Sequence, residues 1–208
     1  MIRILTVERE FGSGGKVIAA ALAERLGWTL WDQLLTDEIA RRLDCDRRTV
    51  ETLEERPDPV YYRLFKAFMR GSFEGNVNAP RLRPVDTDCV QEIAQAIQLE
   101  AAEAGNCVIV GRGSAYYLGD RRDAFHVFIY APSANKVRRL QSDGKSKKEA
   151  IELVETVDRD RAAFIKRYFD LEWPRIHRFH LMVNSSIGDR VAAETILDAM
   201  ARYGERQQ

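Results

Sequence analysis

Apolar residues in this chain fall into short unbroken runs, separated by longer stretches where they recur every third or fourth position. Ile2-Arg3-Ile4-Leu5-Thr6-Val7 is β-branched and apolar apart from Arg3, as a central strand buried on both faces requires. Val17, Ala20, Ala21, Leu22 and Leu26 then repeat with helical spacing, and Gly27 stands where a helix-ending glycine belongs. Trp28 to Asp32 reads as a second strand with an acid at its carboxyl end. Helices are expected over Asp37 to Leu43 and Arg47 to Glu55, before Pro57 and Pro59 interrupt the chain. Tyr61, Tyr62, Leu64, Phe65, Phe68 and Met69 form an aromatic helical stripe. Gly71 to Pro84 is the least patterned segment. A long amphipathic helix is expected from Asp86 to Glu103, closed by Gly105. Cys107 to Gly111, Phe125 to Tyr130 and Leu181 to Asn184 are three more strand-like runs. Helical patterns follow the last two, with a charged helix from Lys148 to about Tyr168 and a final one over Val191 to Met200. Strands alternating with helices predict one α/β domain built on a parallel sheet with helices on both faces.

Composition narrows the function classes. With 208 residues the chain can bury one sizeable core. Lys plus Arg equals Asp plus Glu at 32 each, so no global charge favours nucleic acid or an anionic membrane, and neither is expected as a partner. Any anion site has to be built locally. No apolar run is long enough to span a bilayer, and the absence of a charged-then-apolar leader gives a cytoplasmic expectation. Cys45, Cys89 and Cys107 are odd in number and widely spaced, which fits buried reduced thiols rather than disulfides or zinc.

The chemistry concentrates between the first strand and the first helix. Arg9-Glu10-Phe11-Gly12-Ser13-Gly14-Gly15-Lys16 is a strand, glycine turn and helix start. That sequence of elements cups phosphate, because the N–H groups of the turn and the positive end of the helix dipole point at one spot. The phosphate-loop consensus G-x-x-x-x-G-K-[ST] would place Gly at position 10 and a hydroxyl at position 17, where this chain has Glu10 and Val17. Glu10 must therefore point away from the phosphates or pair with Arg9. The hydroxyl that usually holds magnesium is absent at Val17, leaving Ser13 or water to replace it.

These residues resemble the cytidylate kinase-like proteins, relatives of bacterial cytidylate kinase among the P-loop nucleoside monophosphate kinases. The likeness covers nearly the whole chain. It is carried by Arg9 to Gly15, Leu26-Gly27-Trp28 closing on Asp32, Cys107 to Gly113, Asp158-x-x-Arg161 and Val183-Asn184-Ser185-Ser186. The resemblance implies a P-loop three-layer fold with a five-stranded parallel sheet, a monophosphate-binding helical insertion at about 34–85 and a lid at about 141–169. It implies transfer of the γ-phosphoryl of ATP, with Mg2+, to a nucleoside monophosphate such as CMP. Gly12, Ser13, Gly14, Gly15 and Lys16 would cradle ATP, with Arg138 and Arg139 reaching it from the lid side and Ser13 holding the metal. Asp32, Arg112, Asp158 and Arg161 would bind the acceptor, and Lys16, Arg112 and Arg161 would neutralise charge in the transfer. Plainer roles stay open for several of them: a turn acid for Asp32, a strand-end ion pair for Arg112, a solvated i,i+3 pair for Asp158 and Arg161, surface positions for Arg138 and Arg139. A nucleotide-binding regulatory protein that keeps the fold without turnover is the alternative function. The Tyr61 to Met69 stripe fits an arm helix or a homodimer contact.

Overall fold

The computed structural model describes residues 1–42 and 87–206. Five strands, β1 (Ile4–Arg9), β2 (Thr29–Trp31), β3 (Cys107–Val110), β4 (Ala124–Tyr130) and β5 (Leu181–Asn184), form one sheet in the order β2-β3-β1-β4-β5. Every neighbouring pair is parallel. The helices are α1 (Gly15–Leu26), α2 (Gln33–Arg42), α3 (Thr87–Ala104), the single turn α4 (Ser114–Tyr117), α5 (Ser133–Ser142), α6 (Lys147–Phe169) and α7 (Asp189–Glu205).

Alternation along the strands sorts side chains onto two faces. Leu5, Val7, Val108, Val110, Phe125, Val127 and Ile129 pack in one core with Ile18, Leu22 and Ala19 of α1 and Ala192, Ala193 and Ile196 of α7. Ile4, Cys107, Ile109 and Ala124 face the other way, against Ala101 and Ala102 of α3. A third cluster joins α2 and α3 to α6 through Leu35, Ile39, Val90, Ile97, Phe164 and Ile165. A fourth packs the α5–α6 hairpin against the glycine turn: Val137, Leu140, Val154 and Val157 close over Phe11. Gly12 and the charged residues around it thus lie under a helix rather than in open solvent.

Element bounds match the pattern closely except at β1 and at the start of α2. The apolar run predicted a strand over Ile2 to Val7, but the strand is Ile4–Arg9, with all six residues buried. Glu8 and Arg9 carry the backbone ladder onward because Glu8 pairs in register with Phe128, and Arg9 with Ile129, of β4. Their charges are accommodated at the carboxyl edge, where an open parallel sheet places its ligand crevice. Helix α2 begins at Gln33, immediately after Asp32, four residues before the expected start. Burial pushes the Cys107 thiol up to about 11, consistent with an inert core residue. Cys45, the Cys89 side chain, the Arg47 to Glu55 helix, the Tyr61 to Met69 stripe and the Gly71 to Pro84 segment lie outside the described residues, as does most of the expected 34–85 insertion. No helix among the described residues is long and apolar enough to cross a membrane.

Candidate functional site

The glycine turn runs from the end of β1 to the start of α1, and its shape is held from within and from below. The Ser13 hydroxyl donates to the Glu10 carbonyl at 2.8 Å, and Ser13 is fully buried. From the 3₁₀ turn after β5, the buried Ser185 hydroxyl donates to the Ser13 carbonyl at 2.6 Å. The Ser13 hydroxyl, expected from the sequence to hold a metal, thus donates to the turn's own backbone. Lys16, half-buried, is the second residue of α1.

Glu10 is the residue that made the motif look faulty, and the structure supplies its counter-charge. Lys136 of α5 places its Nζ 3.1 Å from Glu10 Oε2 and 3.4 Å from Asp158 Oδ2 of α6. The Ala131 N–H donates to the same Glu10 oxygen at 3.2 Å. The sequence left Glu10 either to point away from the phosphates or to pair with Arg9; the structure gives it Lys136 as a partner. An acid beside the cradle is thereby neutralised by a cation from α5.

Asp158 and Arg161 form the i,i+3 pair, with Arg161 Nη1 at 3.2 Å from Asp158 Oδ1, but not on a solvated face. Arg161 is buried, and the same Nη1 donates to the Arg9 carbonyl at 2.9 Å. Asp158 Oδ1 accepts the Phe11 N–H at 2.8 Å. Burial pushes the Asp158 carboxyl up, while Arg161, the Phe11 N–H and Lys136 pull it back. The charged helix is therefore fastened to the phosphate loop by two charge-assisted bonds, with the Arg161–Asp158 pair holding both side chains in place.

On the far side of the loop, Arg112 follows β3 in a left-handed conformation, with φ 56°. Its Nη1 donates to the Asp32 carbonyl at 3.0 Å and its Nη2 to the Thr36 hydroxyl. Burial lowers its guanidinium to about 10, with Asp32 opposing and Arg9 adding to the shift. Asp32 is likewise buried at the carboxyl end of β2. The structure thus brings Asp32 and Arg112 together on one side of the loop and Asp158 and Arg161 over it.

A cleft of about 420 Å³ is lined by Gly12, Asn135, Arg138, Arg139, Ser185 and Ser186, among others. Arg138 lines it. Arg139 lies against Gly14 and makes a bidentate pair with Asp189 of α7, at 2.7 and 2.8 Å. Sequence reasoning assigned no role to Lys136, Asp189 or Ser185, nor to Glu8 of β1, and gave Arg9 none beyond a pairing with Glu10. Glu8 is 4% exposed, with Arg9, Arg161, Tyr116 and the Gly113 N–H around it, and burial raises its carboxyl. Arg9 runs under Gly15 and reaches Gly111. The signal was present in Arg9 and Glu8 as charges at a strand end. For Lys136 none was available, since its partners are 126 and 22 positions away.

P-loop enzymes usually hold magnesium with the hydroxyl after the loop lysine and an acid. At that position Val17 offers no oxygen, the Ser13 hydroxyl donates to the Glu10 carbonyl, and the residue just past β3 is Gly111. Among the described residues no group of three His, Cys, Asp or Glu side chains could hold an ion. The residues present do not fit a protein-held metal.

Comparison with known proteins agrees with this architecture. The model of the cytidylate kinase-like family matches residues 4–187. A crystal structure of an uncharacterized protein from Eubacterium ventriosum superposes with a TM-score of 0.69 at 20% identity, covering 97% of this chain and 99% of that one. Shikimate kinase from Bacteroides thetaiotaomicron gives 0.52 at 17% identity, covering 99% and 98%. Shikimate kinase from Acinetobacter baumannii, in complex with shikimate, gives 0.53 at 15% identity, covering 97% and 94%. At such identities the superpositions show a shared P-loop kinase fold. No curated protein sequence matches the chain significantly.

Proposed function

Because this chain belongs to the cytidylate kinase-like family, we propose that it transfers the γ-phosphoryl group of ATP to a nucleoside monophosphate, with CMP the first acceptor to test. One observation supports the reading most: the glycine turn lies between two differently built sides. The cleft of Gly12, Arg138, Arg139 and Ser186 is on one side, and the buried Asp32 and Arg112 are on the other. A donor triphosphate entering from the first side would bring its terminal phosphate to the loop N–H groups. An acceptor phosphate entering from the second would meet Arg112, whose planar fork suits a phosphate.

Phosphoryl transfer asks a protein mainly to position its reactants and neutralise charge. Lys16 and the N-terminus of α1 act on the donor, and Arg112 acts on the acceptor. Arg161, held by Asp158 over the loop, adds charge between them and excludes water. P-loop kinases as a class use ATP with magnesium.

A second reading, nucleotide binding without turnover, draws on Val17 and on the committed Ser13 hydroxyl. One experiment separates the two: purified protein with ATP, magnesium and a panel of nucleoside monophosphates, following ADP formation. Turnover with a monophosphate is expected. In the same assay Arg112→Ala should raise the acceptor KM by about tenfold or more, the loss of a charged hydrogen bond, with the ATP KM little changed. ATP binding with no turnover on any acceptor would replace the kinase reading with the second one.

A further inference from the structure

The carboxyl end of β1 carries Glu8 and Arg9 on opposite faces of the sheet, and Arg9 points to the face that α1 covers. Its course is visible in two glycines. A Cβ on Gly15, the first residue of α1, would stand 2.6 Å from Arg9 Cβ and 2.7 Å from Arg9 Cγ. A Cβ on Gly111, just past β3, would collide with Arg9 Nη1. Both positions must therefore be glycine for the side chain to pass, and the guanidinium lies between the start of α1 and the end of β3. Arg9 is 2% exposed there. The main chain fixes this position from both sides: the Gly111 N–H donates to the Val7 carbonyl at 3.0 Å, and the Arg9 carbonyl accepts from Arg161.

In a metal-holding phosphate loop, the start of this helix supplies a hydroxyl, and a nearby acid helps to hold the cation. Here Val17, 56% exposed, replaces the hydroxyl, and the residue just past β3 is a glycine, Gly111. A guanidinium fills the space between. Magnesium needs near-octahedral oxygens at about 2.0–2.1 Å, which a guanidinium cannot supply and whose place it takes. The neighbouring Arg112 already feels Arg9 as a like charge, so a divalent ion in the same crevice would add repulsion.

We propose that this phosphate loop takes its nucleotide without a protein-held divalent cation, Arg9 supplying from the β3 side the positive charge that a hydroxyl and an acid would otherwise recruit. Magnesium then reaches the site only as a counter-ion of the nucleotide's own phosphates. The proposal rests on the reading of the loop as a nucleotide cradle and goes beyond it in assigning Arg9 and removing the metal ligand set.

The test is calorimetric titration of ADP and ATP into the full-length protein, once with magnesium and once with excess EDTA at equal ionic strength. The two dissociation constants are expected to agree within about threefold, well under the tenfold that 1.4 kcal/mol represents. A loss of about tenfold or more in EDTA for the wild-type protein would overturn the inference while leaving the nucleotide site intact. Binding in neither condition would overturn the inference and the nucleotide site together. Arg9→Ala is expected to weaken nucleotide binding in EDTA by about tenfold or more, with Arg9→Lys recovering part of it. A folded Arg9→Ala protein that binds ATP in EDTA as the wild type does would also overturn it. The wild-type comparison needs no variant and stands even if Arg9→Ala does not fold.

Discussion

Lys136 is a nearly buried ammonium with two carboxylates in reach, and its energetics follow from what would be left behind without it. Removing one member of a buried ion pair strands the other charge in a medium that solvates it poorly. Glu10 keeps a quarter of its side chain in water, which moderates the penalty. Lys136→Met should therefore destabilise the protein by about 2–3 kcal/mol, read as a lower urea midpoint at unchanged slope. Adding Glu10→Gln to that variant should recover part of the loss, because the stranded charge is then gone. A midpoint that does not move in Lys136→Met would mean that the Glu10 charge is held by the Ala131 N–H alone. At this scale the sequence identified the unusual residue, Glu10, but not Lys136 as its partner. Arg9 is adjacent in sequence but projects to another face, whereas Lys136 is brought in by the β4–α5 connection.

At the scale of elements, the phosphate loop is a composite of four segments: the turn itself, the start of α5, the middle of α6 and the 3₁₀ turn at Ser185–Ile187 after β5. Ser185 joins the last of these to the first by its bond to the Ser13 carbonyl. Ser185→Ala leaves that buried acceptor without its donor and should cost about 1–2 kcal/mol of stability. It should also weaken ATP binding severalfold, since the turn then has to be ordered by the ligand. Unchanged nucleotide affinity in a destabilised variant would show that the brace serves the fold alone. The five strands and most of the long helices were legible because each is a continuous or periodic apolar pattern. The single turn α4 and the 3₁₀ turns were not, being too short to show a period. The end of β1 was misplaced for a different reason. Glu8 and Arg9 break the apolar run, yet their backbones still pair with Phe128 and Ile129.

The whole molecule sets the pH range over which it is stable, through a pair of histidines on the β4–β5 side. His126 is buried on β4, its Nδ1 2.8 Å from the Thr6 hydroxyl, and it stacks on His180 with ring centroids 5.1 Å apart. His180 in turn accepts from the His126 N–H and meets the Tyr203 hydroxyl of α7 at 3.0 Å. Burial, then His180 and Arg178, lower the His126 imidazole to about 4, while a backbone bond to Leu118 opposes them; burial also lowers His180. The unfolded chain takes up these protons below about pH 6.5 and the folded one does not. The stability that neutral His126 contributes is therefore full above pH 7 and is lost as pH falls toward 4. From His126 alone, unfolding free energy should drop by about 2 kcal/mol between pH 7 and pH 5. Urea unfolding across that interval checks it, with His126→Gln expected to flatten the slope; a flat wild-type profile would contradict the lowered imidazole. What the sequence determined by itself was everything carried by local pattern. That includes the alternation of strands and helices, the glycine turn with its lysine, and the acids and arginines at strand ends, because hydrophobic period and turn chemistry act over neighbouring residues. Tertiary structure decided which charges meet. It paired Glu10 with Lys136, seated Arg161 on the Arg9 carbonyl and drove the Arg9 side chain between Gly15 and Gly111. Such partners lie far apart along the chain, and only the packing of helices on a parallel sheet brings them within a few ångströms.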